Sequence, residues 1–102
     1  MITFNFYTPK EKLPNHGEEI IFLRKEVSFD TEYFDVRIGT VEYEFVELDE
    51  NGIDTGTSIC YEGNEHLVND PDVELRILID AGGAAYYFED EVFCWNYPFN
   101  NI

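Results

Sequence analysis

The amino-acid sequence predicts a mainly β protein, a single compact antiparallel sheet, sandwich or half-barrel of six or seven strands with little helix. Apolar and polar side chains alternate with a period of two along much of the chain, as in half-buried strands. The pair Asn51-Gly52 tolerates the left-handed backbone that tight hairpin turns require. No window of about eleven residues carries a helical stripe. The 102 residues fit one domain, 1–102, because a second domain would be too small to bury its own core.

The first third of the chain predicts two strands separated by a loop. Residues 2–7 alternate and predict a first strand, whereas the two prolines and the glycine of residues 9–18 predict a loop. The continuous apolar run Ile20–Leu23 within residues 19–27 indicates a central strand that is covered on both faces. Residues 28–34 fit either a loop or one short helical turn.

A strand and its returning partner follow. Residues 41–45 alternate between apolar and acidic side chains, so a strand here presents Glu42 and Glu44 on the face opposite its apolar side chains. The chain then turns at Asn51-Gly52 and returns through residues 57–61. These patterns predict a hairpin with one acidic face.

The last third predicts further strands. Residues 64–72 indicate a polar loop with a brief helical turn, and residues 73–79 a strand with one apolar face. Residues 81–85 indicate a turn. Residues 86–99 predict one bent strand or a short hairpin, in which the alternating aromatic residues are Phe93, Trp95, Tyr97 and Phe99.

Acidic residues dominate the charge, with 22 Asp and Glu against 6 Lys and Arg and a net charge of −16. Residues 1–25 hold four basic and three acidic side chains, whereas residues 26–102 hold two basic and 19 acidic ones. A field of this sign repels nucleic acid and anionic membranes, and it attracts basic surfaces within about 8–10 Å at physiological salt. Neither direct nucleic-acid binding nor membrane binding is therefore expected.

Patterns that carry catalysis or metal binding are weak. His16 and His66 lie in polar loops, and Cys60 and Cys94 lie far apart in apparent strands, without the close ligand pairs of zinc sites. A disulfide between the cysteines stays open as an alternative, but reduced, buried thiols are favoured. The segment 49–54 departs from the calcium-loop pattern and fits a hairpin turn better. We therefore expect no enzyme, no cofactor and no metal.

The acidic residues instead suggest a charged binding surface. Glu42 and Glu44 stand roughly 6.6–6.8 Å apart on one face of a strand, and phosphates follow one another at about 3.4 Å along each strand of a duplex. Rows of carboxylates can therefore imitate a polyanion. The centre of this predicted contact is formed by Glu42, Glu44, Glu47, Asp49 and Glu50. The contact is extended by Asp54, Glu62, Glu65, Asp70, Asp72, Glu89, Asp90 and Glu91. Glu74, which follows the polar loop 64–72, could continue it.

In size and charge the chain resembles phage counter-defence proteins: anti-restriction DNA mimics, anti-CRISPR proteins and uracil-DNA glycosylase inhibitors. Separately, "FNFYTPKEKLPNHGEEIIFL" (4–23) and "CWNYPF" (94–99) look like the two ends of a phage and prophage family of unknown function. Leu13-Pro14, Gly17 and Trp95 fit that family's pattern. This resemblance implies a phage origin, and it carries no functional residue over to this chain.

We expect a non-catalytic inhibitor that blocks the basic nucleic-acid-binding site of a bacterial defence nuclease, restriction enzyme or CRISPR effector. Two alternatives stay open: an immunity protein that neutralises a basic nuclease toxin, and a small β-domain enzyme or ligand binder whose acidity only aids solubility. The sequence shows neither a membrane span nor a secretory signal, which predicts the bacterial cytoplasm. Exposed strand edges would allow a homodimer to form by edge pairing.

Overall fold

The computed structural model describes residues 5–98 and folds them into one antiparallel six-stranded sheet that does not close into a barrel. The mainly β prediction is therefore confirmed. The strands are β1 (Glu19–Ser28), β2 (Thr31–Leu48), β3 (Asp54–Cys60), β4 (Val73–Ala81), β5 (Ala84–Tyr87) and β6 (Cys94–Asn96). The helical elements of the described part are a 3₁₀ helix, Glu65–Asn69, and a four-residue α-helix, α1 (Phe88–Glu91).

The long strand β2 organises the sheet, whose order is β5-β4-β2-β1-β6 with β3 also paired to β2. Its first half pairs with β1 in a continuous ladder from Glu19 opposite Thr40 to Ser28 opposite Thr31. Pairing with β4 begins at Thr40, and β6 reaches β1 only as far as Leu23. Residues 21–38 therefore extend beyond β4 as a ribbon of β1 and β2, flanked by β6 only along Ile21–Leu23, and we call this ribbon the arm.

One face of the sheet, the inner face, carries the core. Alternate side chains from four strands meet there with residues from α1 and the segment after it, and all are at most 6% exposed. These residues are Ile20, Phe22, Val41, Ile77, Ile79, Ala81, Phe88, Val92 and Trp95. Because the period of two places every second residue of a strand on the same side, this covered face accounts for the alternation seen in the sequence. Near the end of β2, Val46 is also buried, 1% exposed, on the side that Glu74 shares.

The predicted N-terminal loop closes the inner face. Tyr7 forms an isolated antiparallel bridge with Trp95, and the indole Nε1 of Trp95 donates to the carbonyl oxygen of Lys12 at 3.0 Å. The hydroxyl of Tyr43 donates to the carbonyl oxygen of Pro14, which is fully buried. The loop is thus fixed to the core by polar atoms of the core's own aromatic side chains.

The prediction of a loop or helical turn over residues 28–34 is wrong. The chain turns within two residues, Phe29 and Asp30, and β2 begins at Thr31. Both turn residues have positive φ, 50° and 66°, as the two-residue turns that match the twist of a hairpin require. The cross-strand ladder holds this conformation although neither residue is glycine.

The prediction of a bent strand or hairpin over residues 86–99 is also wrong, because α1 interrupts it. The end of β5 precedes the helix, and the short strand β6 around Trp95 follows it. Phe99 lies outside the described residues, as does half of the strand predicted over residues 2–7. In the described part of that segment, Tyr7 contributes a single bridge and no strand forms.

Candidate functional site

Five carboxylates share the face of the sheet opposite the core, which we call the outer face. The register of β2 with β4 and β3 places them there, because residues directly opposite each other point to the same side. Thr40 lies opposite Asp80, and Val46 lies opposite Glu74. We call this group the acidic outer patch; its members are Glu42, Glu44, Asp54, Glu74 and Asp80.

Arg76 lies within the acidic outer patch and neutralises part of it. Its Nη2 donates to Asp54 Oδ2 at 2.7 Å, and its Nη1 lies 3.9 Å from Glu44 Oε1. The pKa of Asp54 is lowered, first by the N–H of Gly56 that donates to its carboxylate and then by Arg76. Within residues 5–98, the other three acids of the patch, Glu42, Glu74 and Asp80, have no ion-pair partner.

The end of the sheet beyond β2 is also acidic. The N–H of Leu48 donates to the carbonyl oxygen of Asp72 at 2.9 Å, which brings the loop before β4 next to the turn after β2. The predicted contact residues Glu47, Asp49, Glu50, Asp70 and Asp72 therefore lie at one end of the sheet. This end adjoins the acidic outer patch through Asp72, which lies two residues before Glu74. Glu47 itself lies opposite Val73 and points to the other side of the sheet.

A half-open cleft of about 270 Å³ lies between β4 and α1. Its lining includes Glu74 and Arg76 from β4 and the predicted contact residues Glu89 and Asp90 from α1, together with Tyr87. The helix thus continues the acidic surface around the edge of β4.

Two of the predicted contact residues hold local backbone structure. Asp49 Oδ1 accepts from the N–H groups of Asn51 and Ile53 at 2.8 and 3.0 Å, which closes the turn between β2 and β3. Asp70 Oδ1 accepts from the N–H of Asp72 at 2.8 Å. Asp49 is exposed and Asp70 is half-buried, and part of the hydrogen-bonding capacity of both carboxylates is used within the chain.

The structure places three predicted contact residues outside the acidic outer patch, the acidic sheet end and the cleft. Glu91 accepts from the N–H of Tyr87 and lies 3.8 Å from Arg24, at the base of the arm. Glu65 is exposed in the first turn of the 3₁₀ helix. Glu62 lies beside His16.

His16 is half-buried, which differs from the exposed loop histidine expected from the sequence. Its Nδ1 accepts from the N–H of Tyr43 at 3.0 Å, so the ring proton sits on Nε2, which donates to Glu62 Oε1 at 3.2 Å. The rings of Tyr43 and Tyr61 lie 5.8 and 5.0 Å from the imidazole. Both ring nitrogens are therefore used to attach the N-terminal loop to β2 and to the segment after β3.

This aromatic cluster predicts a loss of stability in alkali. Burial raises the pKa of Tyr43 above 10.0, and Tyr61 and Tyr97 raise it further. The folded chain then holds the phenol proton more tightly than the unfolded chain, so stability is full below about pH 10 and falls as the pH rises through the folded-state pKa. We expect the free energy of urea unfolding to drop above about pH 10, and Tyr43→Phe to reduce that drop. Tyr33→Phe, at a half-exposed position, is the control and should leave the drop unchanged.

The cysteines are both free thiols. Cys60 is exposed, contrary to the expectation of two buried thiols, whereas Cys94 is half-buried and its pKa is raised by burial. Within residues 5–98, no three His, Cys, Asp or Glu side chains are grouped so that they could hold a metal ion. No helix in this part of the chain is long and apolar enough to cross a membrane.

Comparison with known proteins finds no matching family model, no matching curated protein and no matching solved structure.

Proposed function

We propose that the protein is a non-catalytic inhibitor whose acidic surface covers the basic nucleic-acid-binding site of a bacterial defence nuclease or CRISPR effector. The observation that carries this proposal is the acidic outer patch, where five carboxylates share one sheet face with a single arginine. The acidic sheet end and the helix α1 adjoin it, so the carboxylates form a continuous surface of the kind that a Lys- and Arg-lined channel attracts.

The distribution of the basic side chains supports the proposed inhibitor function. Three of the six basic residues, Arg24, Lys25 and Arg37, lie on the arm, and Lys10 and Lys12 lie in the N-terminal loop. From Thr40 to the end of the sequence, Arg76 is the one basic residue, although this part of the chain holds most of the acidic residues. Acidity that served solubility alone would not require the basic residues to be separated from most of the acidic ones.

The cleft beside β4 gives less support to an enzyme or ligand binder. Small-molecule sites are mostly apolar and enclosed, with a few convergent polar groups. This cleft is half-open, and its lining includes Glu74, Glu89, Asp90 and Arg76. Its charge suits the side chain of a basic protein partner better than it suits an apolar ligand.

The test is inhibition of DNA cleavage by a panel of purified restriction and CRISPR nucleases. We expect the wild-type protein to inhibit at least one of them at about 50 mM salt, and less at about 200 mM, because charge pairing is screened. The triple variant Glu42→Lys, Glu74→Lys, Asp80→Lys should inhibit at least about tenfold less well, because it reverses the carboxylates of the patch that lack ion-pair partners.

A second triple variant provides a control with the same change in net charge. Glu11→Lys, Glu18→Lys and Glu32→Lys lie on the N-terminal loop and the arm, outside the acidic outer patch. This variant should keep most of the inhibition. Equal losses in the two variants would mean that net charge and not the patch is recognised, and no inhibition of any nuclease in the panel would contradict the proposed function.

A further inference from the structure

The outer face of the arm is apolar and exposed. Strand alternation puts three β2 residues on this face, and Val27 joins them because it lies opposite Glu32. Phe93 adjoins them, with its ring 5.1 Å from that of Phe34. We call this group the apolar outer patch; its members and their exposed fractions are Val27 66%, Phe34 51%, Val36 58%, Ile38 55% and Phe93 50%.

The patch is large for a surface that faces water. A half-exposed side chain of this size presents on the order of 100 Å², so five contiguous ones present roughly 500 Å², near the upper limit of about 600 Å² for the largest patch on a typical monomer. Phe29 at the tip of the arm is 100% exposed and adds to it. The largest apolar patch of a protein is often functional.

The charges around the patch indicate what covers it. Although the whole chain carries −16, the arm is almost neutral, with three basic residues against Glu26, Asp30, Glu32 and Asp35. On the outer face of the arm the charged residues are Lys25 and Glu32, which pair at 3.2 Å. One charge of each sign on the same patch is self-complementary under a two-fold rotation, since the lysine of each copy can meet the glutamate of the other.

We propose that two copies of this chain form a homodimer by packing their apolar outer patches face to face, with the arms antiparallel. The antiparallel arrangement directs the two acidic outer patches to opposite ends of the dimer, whereas a parallel one would place them side by side. The two patches together bury roughly 1,000 Å², about the minimum for a specific interface. The dimer is held by the faces of the sheets and not by pairing of the free strand edges.

The test is the mass of the protein in solution, measured by sedimentation equilibrium over a range of protein concentrations. We expect the wild-type chain to approach twice its monomer mass of 12.0 kDa. Val36→Asp should weaken association at least about tenfold, because it places a charge in the centre of the apolar interface. Phe93→Asp, which alters the patch from outside β1 and β2, should have the same effect.

Val68→Asp is the matched control. Val68 is 56% exposed on the 3₁₀ helix, away from the arm, and the substitution changes the net charge by the same amount. It should leave the dimer intact. If Val36→Asp and Phe93→Asp weaken the dimer no more than Val68→Asp does, the faces of the arms are not the interface and the proposal is wrong. A wild-type chain that stays at 12.0 kDa up to about 1 mM overturns the dimer itself.

Salt distinguishes this inference from the proposed function. Screening reduces the repulsion between two copies that each carry −16, so the dimer should strengthen as salt rises. Inhibition of a basic nuclease should weaken over the same range. A dimer that dissociates with added salt would contradict apolar packing, whether or not any nuclease is inhibited.

Discussion

Replacing Trp95 with alanine is expected to lower the free energy of unfolding by about 3–5 kcal/mol. Trp95 is fully buried and packs against Phe88 and Tyr97, with ring centroids 6.2 and 5.2 Å away. Its loss would leave a cavity and would also remove the hydrogen bond to the Lys12 carbonyl that fixes the N-terminal loop. Because small domains are stable by only about 5–15 kcal/mol, the variant should unfold at a much lower urea concentration.

The measurement is urea unfolding followed by far-ultraviolet circular dichroism, since the variant lacks the only tryptophan of the chain. Val68→Ala is the control, because Val68 is 56% exposed on the 3₁₀ helix, away from the core. It should cost about 1 kcal/mol or less. Similar losses at the two positions would mean that Trp95 is not the centre of the core.

Replacing Gly39 with valine is expected to cost about 3 kcal/mol or more. A Cβ at this position would lie 2.6 Å from Cγ2 of Ile79 and 2.8 Å from the carbonyl oxygen of Asp80. The second of these atoms belongs to the backbone of β4, so a rotamer change cannot relieve the contact. Glycine is needed here because β4 packs against the space that a side chain would occupy.

Thermal unfolding measures this effect against Thr40→Val, the next residue of β2. Thr40 is exposed on the outer face, so its replacement should change the free energy of unfolding by less than about 0.5 kcal/mol. If Gly39→Val were as stable as Thr40→Val, the register between β2 and β4 would have to be wrong.

The strands were predictable where one face of the sheet is covered. The segments 19–27 and 73–79 were predicted as strands and correspond to β1 and β4. The turn at Phe29-Asp30 could not be predicted in this way, because the residues that usually mark a tight turn are glycine and asparagine. There the long-range requirement that β2 pair with β1 overrides the local preference of the turn residues.

The helix α1 was missed for a different reason. A helix of four residues, Phe88–Glu91, is too short to show the period that identifies longer helices. Its insertion ends the alternation assumed for the C-terminal aromatic residues. Phe93 therefore joins the outer face of the arm, while Trp95 enters the core.

Part of the acidic surface was also predictable. The local alternation correctly placed Glu42 on the face opposite the core. Asp80 was missed, because it joins Glu42 only through the register of β2 with β4, which connects residues some forty positions apart. The same long-range pairing brings Arg76 among the carboxylates, and no local pattern in the sequence indicates that neighbour.

The ladder between β1 and β2 also has a consequence for the order in which the chain folds. Its ten residue pairs close through a turn of only two residues, whereas the contact of Leu23 with Cys94 closes a loop of about seventy. Each doubling of loop length adds about 0.6 kcal/mol of closure entropy, so five doublings disfavour the distant contact by roughly 3 kcal/mol. The β1–β2 hairpin is therefore a low-cost nucleus, as is the shorter β4–β5 hairpin with its two-residue turn. The C-terminal strand and the N-terminal loop, which lie far apart in sequence, dock onto a ribbon that has already formed.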